Sequence, residues 1–246
     1  MLGHASASGW ANLAGGGRRA ARLLRRHLPV GRRSKNVVAN KLFLQCVGEL
    51  KRSAENGIRV AEIGVDRGAT TVPLVRMLDS ADTLDLYDRA SCHLAKNQKA
   101  LLETATCKAN LSWNTEKRSD SYAWTIARDI LEREAQRSEG RERRQFPIIW
   151  DAVYLDGAHD FVIDGTTVCL IKEVIRVGGY LVLDDLNWSF ARSAGANNRS
   201  NRGRYTTDQM TRPHVRLVAE LFMEHDPRYL RVNPENHAVG VYRRIG

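Results

Sequence analysis

An α/β domain built on parallel strands is what this sequence predicts. Residues 152–155 and 180–183 are short apolar runs rich in Val, Leu and Tyr, separated by a helix-length segment that closes at Gly178 and Gly179. That pattern reads as two parallel strands joined by a crossover helix. A strand-turn-helix unit precedes them, because the run 58–63 enters AEIGVDRGATT, where Gly64 and Gly68 allow a sharp turn into a helix over 70–78. At 246 residues the chain suits one such domain with additions better than two full domains.

Taken in order, residues 1–17 are small and Gly-rich and read as disordered. Residues 18–28, RRAARLLRRHL, place Ala20, Ala21, Leu24 and Leu28 on one helical face with arginines around the rest, until Pro29 and Gly31 stop the pattern. Peripheral contact with an anionic membrane surface, a mitochondrial targeting segment and a solvated arm are the competing readings. Residues 1–40 are thus expected to form a basic, flexible arm, and residues 41–246 the folded domain. Within it the pattern predicts a helix over 41–52, strand 58–63, helix 70–78, strand 83–87 closing at Asp88, a helix including 94–102, and a strand near 111–113. A helix over 122–145 follows, fading into the charged run SEGRERRQ. After the central unit, residues 189–212 are rich in Asn, Gly, Ser and Arg. A loop of that length in a compact domain is usually functional or disordered. It reads as a substrate lid whose Arg192, Arg199, Arg202 and Arg204 can meet an anionic acceptor. A helix over 215–223 and an antiparallel pair, 230–232 and 238–242, complete the domain.

The net charge of +10 invites a nucleic-acid partner. Its distribution argues otherwise, because residues 1–48 hold nine basic groups and no acid, leaving 29 basic against 28 acidic groups in the rest. Cys46, Cys92, Cys107 and Cys169 show no metal-ligand spacing and read as buried free thiols in a reducing compartment. No apolar run approaches the roughly 18 residues of a membrane span, so the expected location is cytoplasmic, or mitochondrial if the arm is a targeting segment.

The chemistry concentrates at strand ends. The run 152–155 ends at Asp156 and the run 180–183 at Asp184 and Asp185. Parallel neighbours lie about 4.8 Å apart, so these acids converge, and three carboxylates in one crevice repel unless a cation sits among them. A hard divalent ion such as magnesium takes oxygen ligands. His159 follows Asp156 by three residues, where a general base toward an ion-bound substrate is wanted. An Asp at a strand end is often only a helix N-cap, and Asp151, at the far end of the same strand, reads as structural. At the second informative stretch, Gly64 and Gly68 let the backbone turn and approach a ligand, with the amide groups of the following helix behind them. This is not the full dinucleotide fingerprint, and a turn with no ligand is the alternative. Asp88 stands where an acid accepts hydrogen bonds from ribose hydroxyls. Asp120 is a candidate contact to an adenine edge, with a helix N-cap as the alternative.

Glu62 to Thr70 as E-I-G-x-x-x-G-x-T, the acid Asp88, D-G-x-H over Asp156 to His159, Asp164, and G-G-Y-x-x-x-D-D over Gly178 to Asp185 together resemble the class I S-adenosylmethionine-dependent methyltransferases. More narrowly they resemble the metal-dependent O-methyltransferases that modify sugars of macrolide and aminocoumarin antibiotics, and their cephalosporin-pathway relatives. The resemblance spans roughly residues 58–188. It implies a Rossmann-like fold with a mostly parallel seven-stranded sheet, helices on both faces and an antiparallel last strand. It further implies that Glu62, Gly64, Gly68 and Thr70 shape the methionine end of the cofactor pocket and that Asp88 holds the ribose. Asp156, Asp184 and Asp185 would ligate Mg²⁺ or a similar divalent cation, with His159 as base. Where Asp184 stands some macrolide-sugar enzymes carry Glu, and at Ala158 some aminocoumarin-type enzymes carry an acid. The expected acceptor is a small-molecule hydroxyl compound, glycosylated or anionic, and a homo-oligomer is compatible with this reading. Two other classes compete. One is a nucleotide-cofactor oxidoreductase on a similar sheet, which leaves the triple acid unexplained. The other is a non-enzymatic membrane-surface or nucleic-acid adaptor working through the arginine arm. An RNA methyltransferase is disfavoured by the near-neutral body.

Overall fold

The computed structural model describes residues 36–89, 108–116, 121–137 and 146–246. The basic arm over 18–28, the helix over 94–102, Asp120, Cys92, Cys107 and the run 138–145 lie outside the described residues. Asn36 opens the compact unit that continues to Gly246, so the first helix, α1 (Asn36–Ser53), begins ahead of the expected position 41.

Strands β1 (Arg59–Ile63), β2 (Thr83–Arg89), β3 (Asn110–Glu116), β4 (Trp150–Leu155), β5 (Ile175–Leu183), β6 (Tyr229–Arg231) and β7 (Gly240–Arg244) form one seven-stranded sheet in the order β3-β2-β1-β4-β5-β7-β6. β1 to β5 pair in parallel, while β7 runs antiparallel to both β5 and β6. The mostly parallel sheet with a reversed last strand is therefore present. Because the chain moves outward from β1 to β3 and then returns to β4 on the other side, the strand order reverses between β1 and β4. Ligands of open α/β sheets bind in the crevice at the carboxyl ends of strands around such a switch point.

The central strands are buried on both faces, as parallel strands with helical cover must be. Their side chains alternate between two cores. Val153, Leu155, Leu181 and Leu183 join α3 (Tyr122–Arg137), α4 (Phe161–Val174) and α7 (His214–Phe222) in one core. Ala152, Tyr154, Tyr180 and Val182 join α1 and α2 (Thr71–Met77) in the other. Position parity along β4 and β5 thus decides which side of the sheet a residue serves.

Three expectations change. β5 starts at Ile175, so Gly178 and Gly179 do not close a helix but lie inside the strand, at a register irregularity opposite Trp150 and Ala152. A Cβ on Gly179 would come within 2.5 Å of the Asp151 carbonyl oxygen, which is why the strand needs glycine there. The lid is not a loop. It folds into a 3₁₀ turn (Phe190–Arg192), α5 (Arg199–Arg204) and α6 (Thr207–Thr211). Asn198 caps α5, and a reciprocal capping box between Thr206 and Gln209 starts α6. Finally, Cys46 is buried, its thiol pushed up to about 12 by burial, whereas Cys169 is exposed. Among the described residues no helix is long and apolar enough to cross a membrane.

An ion-pair clamp joins the end of α4 to β6. Arg228 reaches both oxygens of Glu173 at 2.7 Å and Asp226 at 2.7 Å, while Lys172 reaches Asp226 at 3.0 Å. Hydrogen bonds from Arg228 hold the Asp226 and Glu173 carboxyls below the usual carboxylate range. Depressed carboxylate pKa values contribute stability that is present above the unfolded values and lost as pH falls through the folded ones. Arg228→Ala is expected to lower Tm at pH 7 by about 2–4 °C, roughly 1 kcal/mol after solvent screening of a partly exposed pair. Thermal melts from pH 7 downward check it, since the gap to wild type should close below the ordinary carboxylate range.

Candidate active site

Asp156, His159 and Asp185 meet at the carboxyl ends of β4 and β5, each offering a ligand atom within 4.8 Å of the others. His159 Nε2 lies 3.4 Å from Asp156 Oδ1 and 3.3 Å from Asp185 Oδ2. That nitrogen is buried and makes no hydrogen bond. A buried polar atom without a partner costs about 1–3 kcal/mol, so the orphaned imidazole nitrogen fits a site that a ligand completes, and the two carboxylates facing it fit a cation. Burial alone would lower the His159 pKa, but Asp156 and Asp185 outweigh it and push it up to about 10.

Asp184 does not join this group. Its carboxylate is buried on the opposite side of the sheet end, where Oδ2 accepts a 2.6 Å hydrogen bond from the Tyr154 hydroxyl and Oδ1 accepts one from the Asp185 amide at 2.6 Å. Strand parity explains the difference from the expected triple-acid set. Asp184 continues the phase of Tyr180 and Val182 toward α1, while Asp185 turns away at φ 53° and brings its carboxylate to His159. Burial, then the charge of Asp156, raises the Asp184 carboxyl to about 7. Asp151 is structural as expected, accepting from the Arg59 amide at 2.6 Å and pairing with Arg176.

His159 also has left-handed backbone, φ 56°. Such residues cost of order 1–3 kcal/mol each and persist only where their surroundings hold them. A pedestal of Asp164, which the sequence pattern includes, and Tyr122, which it does not mark, does so here. Tyr122 of α3 donates its hydroxyl proton to Asp164 of α4, and the same hydroxyl accepts from the Ala158 amide at 2.7 Å. Burial raises the Asp164 carboxyl above its ordinary value. Gly157 must be glycine because a Cβ would lie 2.2 Å from the Tyr122 hydroxyl. Asp160, directly after His159, caps α4 through the Val162 and Ile163 amides.

On the cofactor side, the first-strand acid Glu62 is buried and accepts from the Thr71 hydroxyl at 2.7 Å; burial pushes it up to about 8. Asp88 lies one residue before the end of β2, which runs on to Arg89, and its oxygens accept from the amides of Val65 and Asp66, both at 2.8 Å, and of Arg89 at 2.6 Å. It organises the glycine turn from below. Gly64 and Gly68 both have positive φ, 89° and 73°. The close approach at Gly64 is to the protein itself, since a Cβ there would lie 1.8 Å from the Asp156 carbonyl oxygen. The Thr70 hydroxyl donates to Asn40 Oδ1 at 2.8 Å. Asp120 lies outside the described residues.

Residues 188–205 add an aromatic wall. The Trp188 ring centroid is 4.6 Å from that of His159, Trp188 meets Phe190 at 4.9 Å, and Phe190 stacks on Tyr205 at 4.6 Å. Tyr205 donates its hydroxyl proton to Asp160 Oδ2 at 2.5 Å. His214, buried beneath, accepts from the Phe161 amide at Nδ1 and contacts the Gln209 carbonyl through Nε2. Removing the clasp should loosen the lid. Tyr205→Phe is expected to speed tryptic cleavage at Arg199, Arg202 and Arg204 about tenfold, the scale of one hydrogen bond to a charged group, which timed digestion read by mass spectrometry would show.

Comparison with solved structures places this architecture. The O-methyltransferase TomG from Streptomyces achromogenes, in complex with SAM and involved in tomaymycin synthesis, superposes with a TM-score of 0.50 at 18% identity, covering 93% of this chain and 87% of that one. The CurJ carbon methyltransferase superposes with a TM-score of 0.51 at 14% identity, covering 85% of this chain and 54% of that one. The fold is a methyltransferase fold. No family model matches the sequence, and the search of curated proteins finds no match. Within the methyltransferase fold, Glu62, Asp88 and Asp156 stand at the carboxyl ends of β1, β2 and β4, and Asp185 just beyond β5.

Proposed function

We propose that this protein is an S-adenosylmethionine-dependent O-methyltransferase that uses a divalent cation, Mg²⁺ by preference, and acts on a hydroxyl of a sugar or related small molecule. The observation that carries the reading is the Asp156–His159–Asp185 group at the switch-point crevice of a methyltransferase fold. The acid-lined strand ends add to it, because they suit a cationic sulfonium cofactor as well as a metal ion.

Hard ions take oxygen ligands and keep several waters. Asp156 and Asp185 would accordingly hold the ion, a smaller ligand set than the sequence suggests, since Asp184 accepts from Tyr154. His159 is then the proton acceptor, its Nε2 facing the same point without another partner. The bound cation supplies Lewis acidity that lowers the pKa of an acceptor hydroxyl. The cofactor supplies a sulfonium methyl that is already activated. The chain's own task is geometric and electrostatic. Gly64 and Asp88 fix the crevice, the Tyr122–Asp164 pedestal fixes His159, and Trp188 and Phe190 shield the imidazole from water. His159 is neutral, as a base must be, when the neighbouring carboxylates are engaged elsewhere.

Incubating the full chain with methyl-labelled S-adenosylmethionine and a panel of glycosides and phenols, with and without EDTA, tests the reading. Transfer to a hydroxyl that stops on chelation and returns with Mg²⁺ is expected. Transfer indifferent to EDTA would remove the ion from the mechanism, and thermal stabilisation by NAD in preference to S-adenosylhomocysteine would remove the methyltransferase itself.

A further inference from the structure

The first helix enters the site through one side chain. Asn40, in α1, places Oδ1 2.8 Å from the Thr70 hydroxyl and 3.0 Å from the Tyr154 hydroxyl. The single Tyr154 hydroxyl proton is shared between Asn40 Oδ1 and the nearer Asp184 Oδ2, at 2.6 Å, and Asp184 Oδ1 accepts from the Asp185 amide. Thr70 is the residue from which α2 starts, directly after the Gly64–Gly68 turn, and Tyr154 stands near the end of β4. The chain Thr70–Asn40–Tyr154–Asp184–Asp185 therefore runs without a gap from the glycine turn to the residue that brings a carboxylate to His159. Asn40 is its only member outside the strand-end segments, and Phe43, one turn further along α1, stacks on the Tyr154 ring at 5.1 Å.

We infer that Asn40 is a positioning residue that couples the cofactor pocket to the metal-side turn, an inference that rests on the methyltransferase reading. Thr70 is only 4% exposed and Asp184 4%, so neither has bulk water to replace a lost partner. Without the amide, the start of α2 and the Tyr154 hydroxyl each lose the bond that fixes them relative to the other. A site whose two halves share a fixed element is pre-ordered for both ligands, and the coupling is reciprocal, since whatever tightens one tightens the other by the same factor.

The test titrates S-adenosylhomocysteine into the full-length protein by calorimetry, with and without Mg²⁺, for wild type, Asn40→Ala and Val47→Ala. Val47 is fully buried in the same helix but takes no part in the polar chain, so its variant reports the cost of a loosened α1 alone. Wild type is expected to bind S-adenosylhomocysteine more tightly with Mg²⁺ present. Asn40→Ala is expected to bind about tenfold more weakly, the scale of one lost hydrogen bond and one shared bond disturbed, and to lose the Mg²⁺ enhancement. Val47→Ala should lower Tm yet keep both the affinity and the enhancement. Asn40→Ala binding with wild-type affinity and enhancement, or Val47→Ala matching its losses, overturns the positioning role and leaves the methyltransferase reading intact. Failure of wild type to bind S-adenosylhomocysteine overturns both.

Discussion

Asp156→Asn is expected to abolish Mg²⁺-dependent methyl transfer, lowering kcat/KM by at least about 100-fold, while leaving the fold standing. The substitution preserves shape and removes the charge that a hard ion requires, and altering even the residues that support a metal ligand typically costs 10–100-fold. Two electrostatic changes oppose each other in the metal-free protein. The variant loses the attraction between Asp156 and the His159 imidazolium at 3.4 Å. It also loses the repulsion by which Asp156 raises the Glu62 and Asp184 carboxyls. Tm should therefore stay within about 3 °C of wild type. Paired measurements of turnover and of the Mg²⁺-induced thermal shift check this. A folded variant that keeps the Mg²⁺ shift would place the ion elsewhere.

Gly64→Ala is expected to have the largest effect on stability, about 3–5 kcal/mol, and a fall in Tm on the order of 10 °C. Two costs add. The backbone is left-handed at φ 89°, and the new Cβ would sit 1.8 Å from the Asp156 carbonyl oxygen, backbone against backbone with no flexible end to yield. Gly178 separates the two terms. Its φ is 84°, yet a Cβ there meets nothing within 4 Å, so Gly178→Ala should cost only about 1 kcal/mol for the conformation. Denaturant melts of both variants give the comparison, and equal losses would show that crowding against Asp156 contributes nothing. Because the crowded carbonyl belongs to the residue that opens the site, Gly64→Ala should also weaken ion binding in whatever fraction folds.

The strands were legible because their signal is local. Runs such as AVYL and YLVL, punctuated by glycine and acids, are buried on both sides, and β1, β2 and β4 lie where the pattern puts them, while β5 begins five residues earlier, at Ile175. Asp156, His159 and Asp185 were legible for a related reason, since parallel neighbours bring equivalent ends together. What the pattern could not convey was direction. Asp184 and Asp185 are adjacent letters, but successive strand residues face opposite sides, and only the left-handed turn at Asp185 decides which of the two meets His159. Gly64 is a point of close approach, and one neighbour it approaches is the Asp156 carbonyl, more than ninety residues away in the chain, which no local spacing conveys. Contacts between 30 and 114 residues apart in the chain likewise hide Asn40, Tyr122 and Tyr205, single polar residues with no spacing to mark them. The lid was misread from composition. Asn, Ser and Gly suggest a loop, yet Asn198 and Thr206 are helix caps there, and Phe190 and Tyr205 anchor the segment.

The most direct measurement is the anomalous diffraction of Mn²⁺ soaked into crystals of the full chain with S-adenosylhomocysteine. A single strong peak enclosed by Asp156, Asp185 and His159 is expected, next to cofactor density beside Gly64 and Asp88. A peak on the Asp184 side of the sheet end, or cofactor density without any peak at the Asp156–Asp185 carboxylates, would contradict it.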